Sequence, residues 1–188
     1  MRKHILMGAL FSLFSCSVYA HSGHSGSGFL AGFSHPFSGI DHVLVMIAIG
    51  VWAGKIGGAA RWQLPLTFVV IMAVSAMIGL GSLPSLDIGI AVSVMAMGLL
   101  LVLNSPINRT IQFSITSLFA MLHGFAHGAE LSFEQGSQLL VGMVLATALL
   151  HGVGLILATR YSQINQRLHV VFGGLIFLAG GHILLSSV

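Results

Sequence analysis

Residues 35–42 read HPFSGIDH, and an apolar run continues from them to about residue 53. Two histidines and an aspartate therefore enter a segment that otherwise has the composition of a membrane span. An ionisable side chain near the centre of a membrane helix costs about 2.5–3.5 kcal/mol, so such groups usually face partners or a wet cavity. The stretch predicts a chain that folds in a membrane around a polar site.

The composition of the whole chain supports this interpretation. Of its 188 residues, 56% are hydrophobic and 6% are charged, and the mean hydropathy is +1.00. Soluble domains carry about 25% charged residues, so this chain has too few polar side chains to cover itself in water. The predicted fold class is all-α, a polytopic membrane protein whose spans form one domain at residues 29–188.

Charge and cysteine content exclude several classes of protein. The formal net charge is +3, but the seven basic residues are scattered through short loops and form no face for nucleic acid. The single cysteine, Cys16, lies in a segment that we expect to be removed. This leaves neither a disulfide framework nor a thiolate metal site. The unusual feature that remains is the set of ten histidines.

Residues 1–20 have the pattern of a cleavable secretory signal peptide. A basic head precedes an apolar core, and residues 18–20 form a small-residue cleavage site. The alternative is an uncleaved first helix, but the apolar core is too short to span comfortably. Bulky Phe14 argues against lipid attachment at Cys16.

Cleavage would leave a flexible leader at residues 21–28, rich in glycine and serine. The leader carries His21 and His24. These two imidazoles are either plainly solvated or loose accessory ligands for a metal ion.

Six membrane spans are predicted after the leader, each near the ~20 residues that cross hydrocarbon. They cover residues 29–53, 63–82, 86–103, 110–129, 137–158 and 168–187. With the leader outside, the basic residues of the mature chain all lie in or beside cytoplasmic turns: Lys55, Arg61, Arg109, Arg160 and Arg167. This agrees with the positive-inside rule. We therefore expect a multi-pass protein of the bacterial inner membrane, with its mature N-terminus in the periplasm.

Small residues are spaced for close contact between helices. Gly50 and Gly54 form one G-x-x-x-G pair and Gly124 and Gly128 another, and we also assign Gly39 to helix packing. Six spans also permit a three-plus-three arrangement of inverted topology. No clear internal repeat between the two halves supports that arrangement.

A second ionisable group closes the fourth predicted span. His123 and His127 are spaced i, i+4 and Glu130 follows three residues later, which places all three on one helix face. A lone buried histidine is more often a hydrogen-bonding group than a ligand. Here several such residues converge, so we predict that this group meets the first one and binds a divalent metal ion crossing the membrane.

The first group supplies His35, Asp41 and His42 to this metal site. Pro36 and Gly39 predict a bend among them. Irregular backbone at membrane depth is tolerated only where it is buried in protein or lines a cavity. Imidazole nitrogen with carboxylate oxygen suits Ni, Co, Zn, Fe or Mn and argues against a soft metal.

Other side chains extend the predicted polar track. We place His151 among the metal ligands, and His182 as an accessory. Met46 is either a weak axial ligand or a packing residue, and His169 is structural. Each ligating imidazole must be neutral, so metal binding should weaken as the pH falls through the histidine range.

These motifs resemble those of the HupE/UreJ family of hydrogenase and urease accessory proteins, regarded as nickel permeases. That family shows H-P-x-x-G-x-D-H-x-x-x-M-x-x-x-G in its first span, and residues 35–50 fit it throughout. Its H-G-x-x-H-G-x-E element fits residues 123–130, and His151-Gly152 in span five agrees too. The resemblance implies the metal, nickel or alternatively cobalt, which the ligand chemistry alone does not choose.

The predicted function is therefore a secondary permease and not an enzyme. No Gly-rich phosphate loop of the Walker type occurs in the sequence, and no organic cofactor is expected. The alternative is an intramembrane enzyme or electron-transfer subunit that depends on a metal or haem. Against it, H-E-x-x-H does not occur, and carboxylates among the histidines suit a hydrated cation better than haem iron. The lipid bilayer and the ion are the expected partners, and the oligomeric state is left open.

Overall fold

The computed structural model describes residues 28–79, 84–103, 106–128, 136–161 and 166–187. These ranges contain helices and no strand. The helices are α1 Phe29–Ser38, α2 Ile40–Ile56, α3 Ala60–Ile78, α4 Pro84–Leu103, α5 Arg109–Gly128, α6 Gly136–Tyr161 and α7 Gln166–Ser186. The all-α class is thus confirmed for this part of the chain. The predicted signal peptide and nearly all of the leader lie outside the described residues.

The number of membrane spans is confirmed only in part. Four stretches are long and apolar enough to cross a membrane: Ala60–Ile78, Leu86–Leu103, Gly136–Arg160 and His169–Ser186. The pair α1 and α2 would make a fifth if it is one broken span. Helix α5 has 20 residues, about 30 Å at 1.5 Å per residue, but it is less apolar because polar side chains line its buried face. The sixth span stays a prediction.

The break between α1 and α2 is the bend that Pro36 and Gly39 predict. Pro36 lies inside α1 and lacks the N–H that a helix interior needs. The helix ends two residues later, and Gly39 takes an extended conformation with φ −108° and ψ 121°. The two helix axes differ in direction by 87°. The break brings His35, in the last turn of α1, back toward the first turn of α2.

A tight turn at the other end of α2 reverses the chain. Gly57 and Gly58 have φ of +81° and +52°, a region that glycine enters without steric cost. Helix α3 then begins at Ala60. Lys55, near this turn, donates from Nζ to the carbonyl of Leu101 at 2.9 Å, so α2 and α4 end at the same side of the molecule.

Close backbone contacts at glycines set the direction of the remaining helices. A Cβ on Gly50 would strike the carbonyl of His151, and one on Gly54 would lie 2.6 Å from Cβ of Ala158. Residue numbers rise together along this contact, so α2 and α6 run parallel. A Cβ on Gly128 would lie 2.6 Å from the carbonyl of Ala76.

Close contacts at glycines also give the relative directions of α3 with α5 and of α4 with α7. A Cβ on Gly124 would meet the carbonyl of Met72, which with the contact of Gly128 makes α3 and α5 parallel. A Cβ on Gly180 would lie 2.6 Å from the nitrogen of Met95, and one on Gly173 would lie 2.9 Å from Cβ of Leu101. Helices α4 and α7 are therefore antiparallel.

These directions give the molecule two different ends. The basic end contains the end of α2, the start of α3, the start of α5, the end of α6 and the start of α7, where the basic residues lie: Lys55, Arg61, Arg109, Arg160 and Arg167. The histidine end contains the start of α2 and the end of α5, with His42 and His127. Between them the buried core is apolar and centred on α2, which contacts α1, α3, α4, α6 and α7.

Candidate metal centre

Three histidines meet at the histidine end of the molecule. His35 comes from α1, His42 from the first turn of α2 and His127 from the last turn of α5. One ligand atom of each lies within 4.8 Å of those of the other two. The ring centroids of His42 and His127 are 4.7 Å apart, and those of His35 and His127 are 4.8 Å apart. The break after α1 thus brings together His35 and His42, and α5 adds His127 from at least 85 positions farther along the sequence.

The spacing of these nitrogens is near that of a metal site. A first-row ion binds imidazole nitrogen at about 2.0–2.1 Å, so two nitrogens on one ion lie at most about 4.2 Å apart. The present limit of 4.8 Å exceeds that value by a few tenths of an ångström. Small side-chain rotations would close the three imidazoles around an ion. The arrangement can bind a divalent cation of the imidazole-preferring class.

Asp41 orients one of the three imidazoles. Its Oδ1 lies 2.7 Å from Nδ1 of His42 and also accepts the backbone N–H of His42 at 2.8 Å. A carboxylate accepts, so Nδ1 donates and Nε2 of His42 is left with its lone pair for a metal. This carboxylate–histidine pair is the usual outer shell of a metal-binding histidine. Asp41 Oδ1 is thus engaged with the ligand His42.

Gly39 leaves room for that pair. A Cβ on Gly39 would lie 2.5 Å from Oδ1 of Asp41 and 3.0 Å from Nδ1 of His42. Both distances are shorter than ordinary van der Waals contact, so a larger residue would displace the carboxylate or the ring. Gly39 therefore lies beside the site, and its role in helix packing stays a prediction.

A fourth imidazole lies directly beneath the cluster. The ring of His123 is 5.2 Å from that of His42, and the side chain is fully buried. Its Nδ1 lies 2.9 Å from the carbonyl of Phe119, which can only accept, so Nδ1 donates. Its Nε2 is buried with no hydrogen-bond partner among the described residues, as is Nε2 of His127. Buried polar atoms are seldom left unpaired in proteins, and an ion among these rings would satisfy both.

His151 lies farther from the cluster, on α6. Its side chain is 1% exposed, and its Nδ1 lies 2.7 Å from the carbonyl of Thr147. By the same reasoning Nδ1 donates, and the buried Nε2 has no partner in the described part of the chain. The ring of Phe68 on α3 stands 5.1 Å from His151 and 5.7 Å from His123. His151 is therefore preorganised as a ligand, and its ring and that of His123 both neighbour Phe68.

The other predicted ligands are not part of this cluster as it is described. Met46 is fully buried in the apolar core. His182 is exposed on α7. Glu130, His21 and His24 lie outside the described residues, so their roles stay predictions.

Sequence reasoning missed several residues around the histidines. Phe68 and Thr147 carry no signal in the sequence, since an aromatic or a threonine in a span is ordinary. Gln112 and Thr116 did carry a signal, because they precede His123 and His127 on the same face of α5 at helical spacing. All four are buried, so this face is polar along most of the helix.

Comparisons with known proteins show the family to which this chain belongs. The sequence model of the family described as HupE / UreJ protein matches residues 9–183. The chain belongs to the HupE/UreJ family. Protein HupE of Rhizobium leguminosarum bv. viciae is 37% identical over 173 residues, which cover 90% of this chain and 91% of that protein. No solved structure matches the chain.

Membership of the HupE/UreJ family covers both histidine motifs. The matched region begins before His35 and extends beyond His151, so the cluster and His151 both fall within it. The resemblance that the two motifs predict is thereby confirmed. It concerns the whole bundle and not one local motif.

Proposed function

We propose that the protein is a secondary permease for a divalent transition metal. Its substrate is Ni²⁺, with Co²⁺ as the alternative, and the ion it delivers serves hydrogenase or urease maturation. The observation that carries the proposal is the convergence of His35, His42 and His127, whose ligand atoms lie within 4.8 Å of one another. Imidazoles at such spacing in membrane-length helices are expensive without a function.

The composition of the site favours transport over permanent binding. The three imidazoles come from three helices, α1, α2 and α5, and Nε2 of neighbouring His123 has no hydrogen-bond partner among the described residues. A site of this kind gives an entering ion several alternative partners. A conducted ion must be bound well enough to enter and weakly enough to leave, and exchange among neighbouring imidazoles satisfies both conditions.

The two ends of the molecule support an inward direction of transport. Basic residues collect at one end and the histidine cluster lies at the other. The positive-inside rule assigns the basic end to the cytoplasm, so the cluster faces the periplasm of the inner membrane. The ion then enters at the histidine end and leaves at the basic end. The membership of the HupE/UreJ family supports the assignment to nickel supply.

The test is uptake of radiolabelled nickel by a nickel-starved host that expresses this chain. His42→Ala and His127→Ala each remove one ligand of the cluster, and we expect uptake per unit of membrane protein to fall at least about tenfold, since even outer-shell changes cost 10–100-fold in metal affinity. The matched control is His169→Ala, because His169 is partly buried on α7 at the basic end and should leave uptake unchanged.

Two results would contradict the proposal. Equal uptake by the parent chain and both cluster variants would make these histidines structural. No uptake of nickel or cobalt by the parent would reject the permease, and a Soret band in the purified protein would then favour the haem alternative.

A further inference from the structure

The ring of Phe68 neighbours histidines on two different helices, His123 on α5 and His151 on α6. Its side chain is fully buried on α3. The ring centroid lies 5.7 Å from that of His123 and 5.1 Å from that of His151, tilted by 59° and 56°. One phenyl ring therefore contacts both the imidazole beneath the cluster, His123, and the inner imidazole, His151.

The backbone of His151 lies farther toward the basic end than the cluster. Its carbonyl faces Gly50 on α2, which follows His42 by eight residues, about 12 Å of helix. Its ring points back toward the histidine end, because Nδ1 lies 2.7 Å from the carbonyl of Thr147, one turn or about 6 Å earlier on α6. Phe68 therefore contacts both the imidazole beneath the cluster and the inner imidazole of His151.

Further polar side chains lie on α3 and α5 toward the basic end. Thr116 on α5 and Gln63 on α3 each have a buried side-chain oxygen without a hydrogen-bond partner among the described residues. Gln112, one turn from Thr116, lines a cavity of about 360 Å³ together with Trp52 and Lys55. Unpaired buried oxygens are costly in a protein interior, and a partly hydrated cation is the kind of group that oxygen ligands accept.

We propose that Phe68 is the gate of the permeation path. In the closed state seen here it separates an outer site, formed by His35, His42 and His127 with His123 beneath them, from an inner site at His151. Rotation of the phenyl ring away from the imidazoles opens the passage, and the ion exchanges imidazole ligands from one site to the next. No covalent bond changes. This inference rests on the proposed function, because a gate needs an ion to pass.

The apolar ring suits this role for a physical reason. A hydrated ion has no favourable path through a closed contact between an aromatic ring and two imidazoles, and hydrophobic constrictions are a known means of gating. The competing explanation is that Phe68 is only a packing residue, since it also belongs to the apolar core. The two explanations predict different results when the size of the side chain is changed.

The first experiment separates nickel binding from nickel uptake. Phe68→Trp enlarges the gate, and we expect equilibrium nickel binding by the purified protein to be unchanged while the initial uptake rate falls at least tenfold. Phe68→Ala removes the gate, and uptake should rise severalfold at unchanged binding. Phe172→Ala is the matched control, since Phe172 packs against the same core from α7, and it should leave the ratio of uptake to bound nickel as in the parent.

Two results of this experiment would overturn the gate. One is normal uptake by Phe68→Trp. The other is a loss of binding and uptake in equal proportion in both Phe68 variants, as a packing role requires.

The second experiment does not depend on transport. His151→Cys, in a Cys16→Ser background, places a thiol behind Phe68, and a small cationic methanethiosulfonate is added from the histidine end. Adding Phe68→Ala should raise the rate of labelling at least tenfold. Equal rates in both backgrounds would overturn the gate and leave the proposed function standing. A different outcome is that Phe68→Ala accelerates labelling of His151→Cys while the parent chain transports neither nickel nor cobalt. This outcome would reject the proposed function but retain Phe68 as a barrier.

Discussion

At the level of single residues, the hydrogen bond between Asp41 and His42 determines which ring nitrogen of His42 is available to bind an ion. The carboxylate receives both the ring Nδ1–H and the backbone N–H of His42. It therefore fixes the ring orientation and makes Nε2 more basic. Asp41 is also the one carboxylate within the cluster in the described part of the chain, since Asp87 lies exposed at the start of α4.

Replacing this carboxylate tests its role. In Asp41→Asn the side chain keeps its shape but loses the charge that attracts Nδ1–H, so the ring of His42 is held less firmly. We expect the nickel concentration for half-maximal uptake to rise by about 10–100-fold, the usual cost of losing an outer-shell partner, at a similar protein level. The concentration dependence of initial uptake rates measures this change.

The matched control for that substitution is Asp87→Asn. Asp87 is exposed in the first turn of α4, and its removal should leave the half-maximal concentration as it is in the parent. A half-maximal concentration unchanged in Asp41→Asn would show that His42 needs no outer-shell partner.

The residues of the site differ in how far the sequence predicts them. Ionisable side chains in an apolar span are rare enough to be noticed, so His35, His42 and His127 are found from the pattern alone. The orientation of their nitrogens is not, because it depends on which carbonyl or carboxylate lies nearby after folding. Phe68 is invisible to sequence reasoning, since only the packing of α3 between α5 and α6 gives it a place between two imidazoles.

At the level of helices, glycine positions control how closely the site-bearing elements approach. Gly154 on α6 faces the backbone of α2, where a Cβ would strike the carbonyl of Ile47 and lie 2.9 Å from the nitrogen of Val51. Gly152, two residues earlier, has nothing within 4 Å of such a Cβ. Substituting each of the two glycines by alanine therefore distinguishes the effect of close helix contact from the effect of helix propensity.

This contrast gives a prediction about stability. Gly154→Ala should destabilise the protein by about 1–3 kcal/mol, as expected for overpacking, because α2 and α6 must move apart. Gly152→Ala should be neutral or stabilising by up to about 1 kcal/mol, the propensity difference in a helix interior. Thermal denaturation of both variants in the same detergent measures the effect. Equal melting temperatures would show that the contact at Gly154 relaxes without cost.

The positions of the helices are more predictable from the sequence than the pairs in which the helices pack. Hydropathy and breaker residues place the helix bounds within a few residues, and Pro36 with Gly39 predicts the break between α1 and α2. The small-residue spacing at Gly50 and Gly54 indicates close packing, but it does not say that the partner is α6. That choice is made by complementary glycines far along the chain, such as Gly154.

At the level of the whole molecule, the helix pairs are related by an exchange of halves. The most extensive pairings are α4 with α7, α3 with α5 and α2 with α6. In a three-plus-three arrangement, α2, α3 and α4 of the first half correspond to α5, α6 and α7 of the second half. Under this correspondence the pair α2–α6 maps onto the pair α5–α3, and the pair α4–α7 maps onto itself. Helices α2 and α5 also run in opposite directions. These three pairings agree with an inverted three-plus-three arrangement, in which sites form between the halves, as the cluster on α2 and α5 does.

This arrangement requires α5 to cross the membrane, although its buried polar face makes it less apolar than the other helices. The prediction is tested with alkaline phosphatase, which is active only outside the cytoplasm, fused after Asn108 or after Gly136. The two fusions differ by α5 and the residues that follow it. We expect the fusion after Asn108 to be inactive and the one after Gly136 to be active, since α5 begins at the basic end and finishes at the histidine end. Equal activity in both fusions would mean that α5 does not cross. The histidines of α5 would then lie on the same side of the membrane as Arg109, and the ion would have no histidine-lined entry from the periplasm.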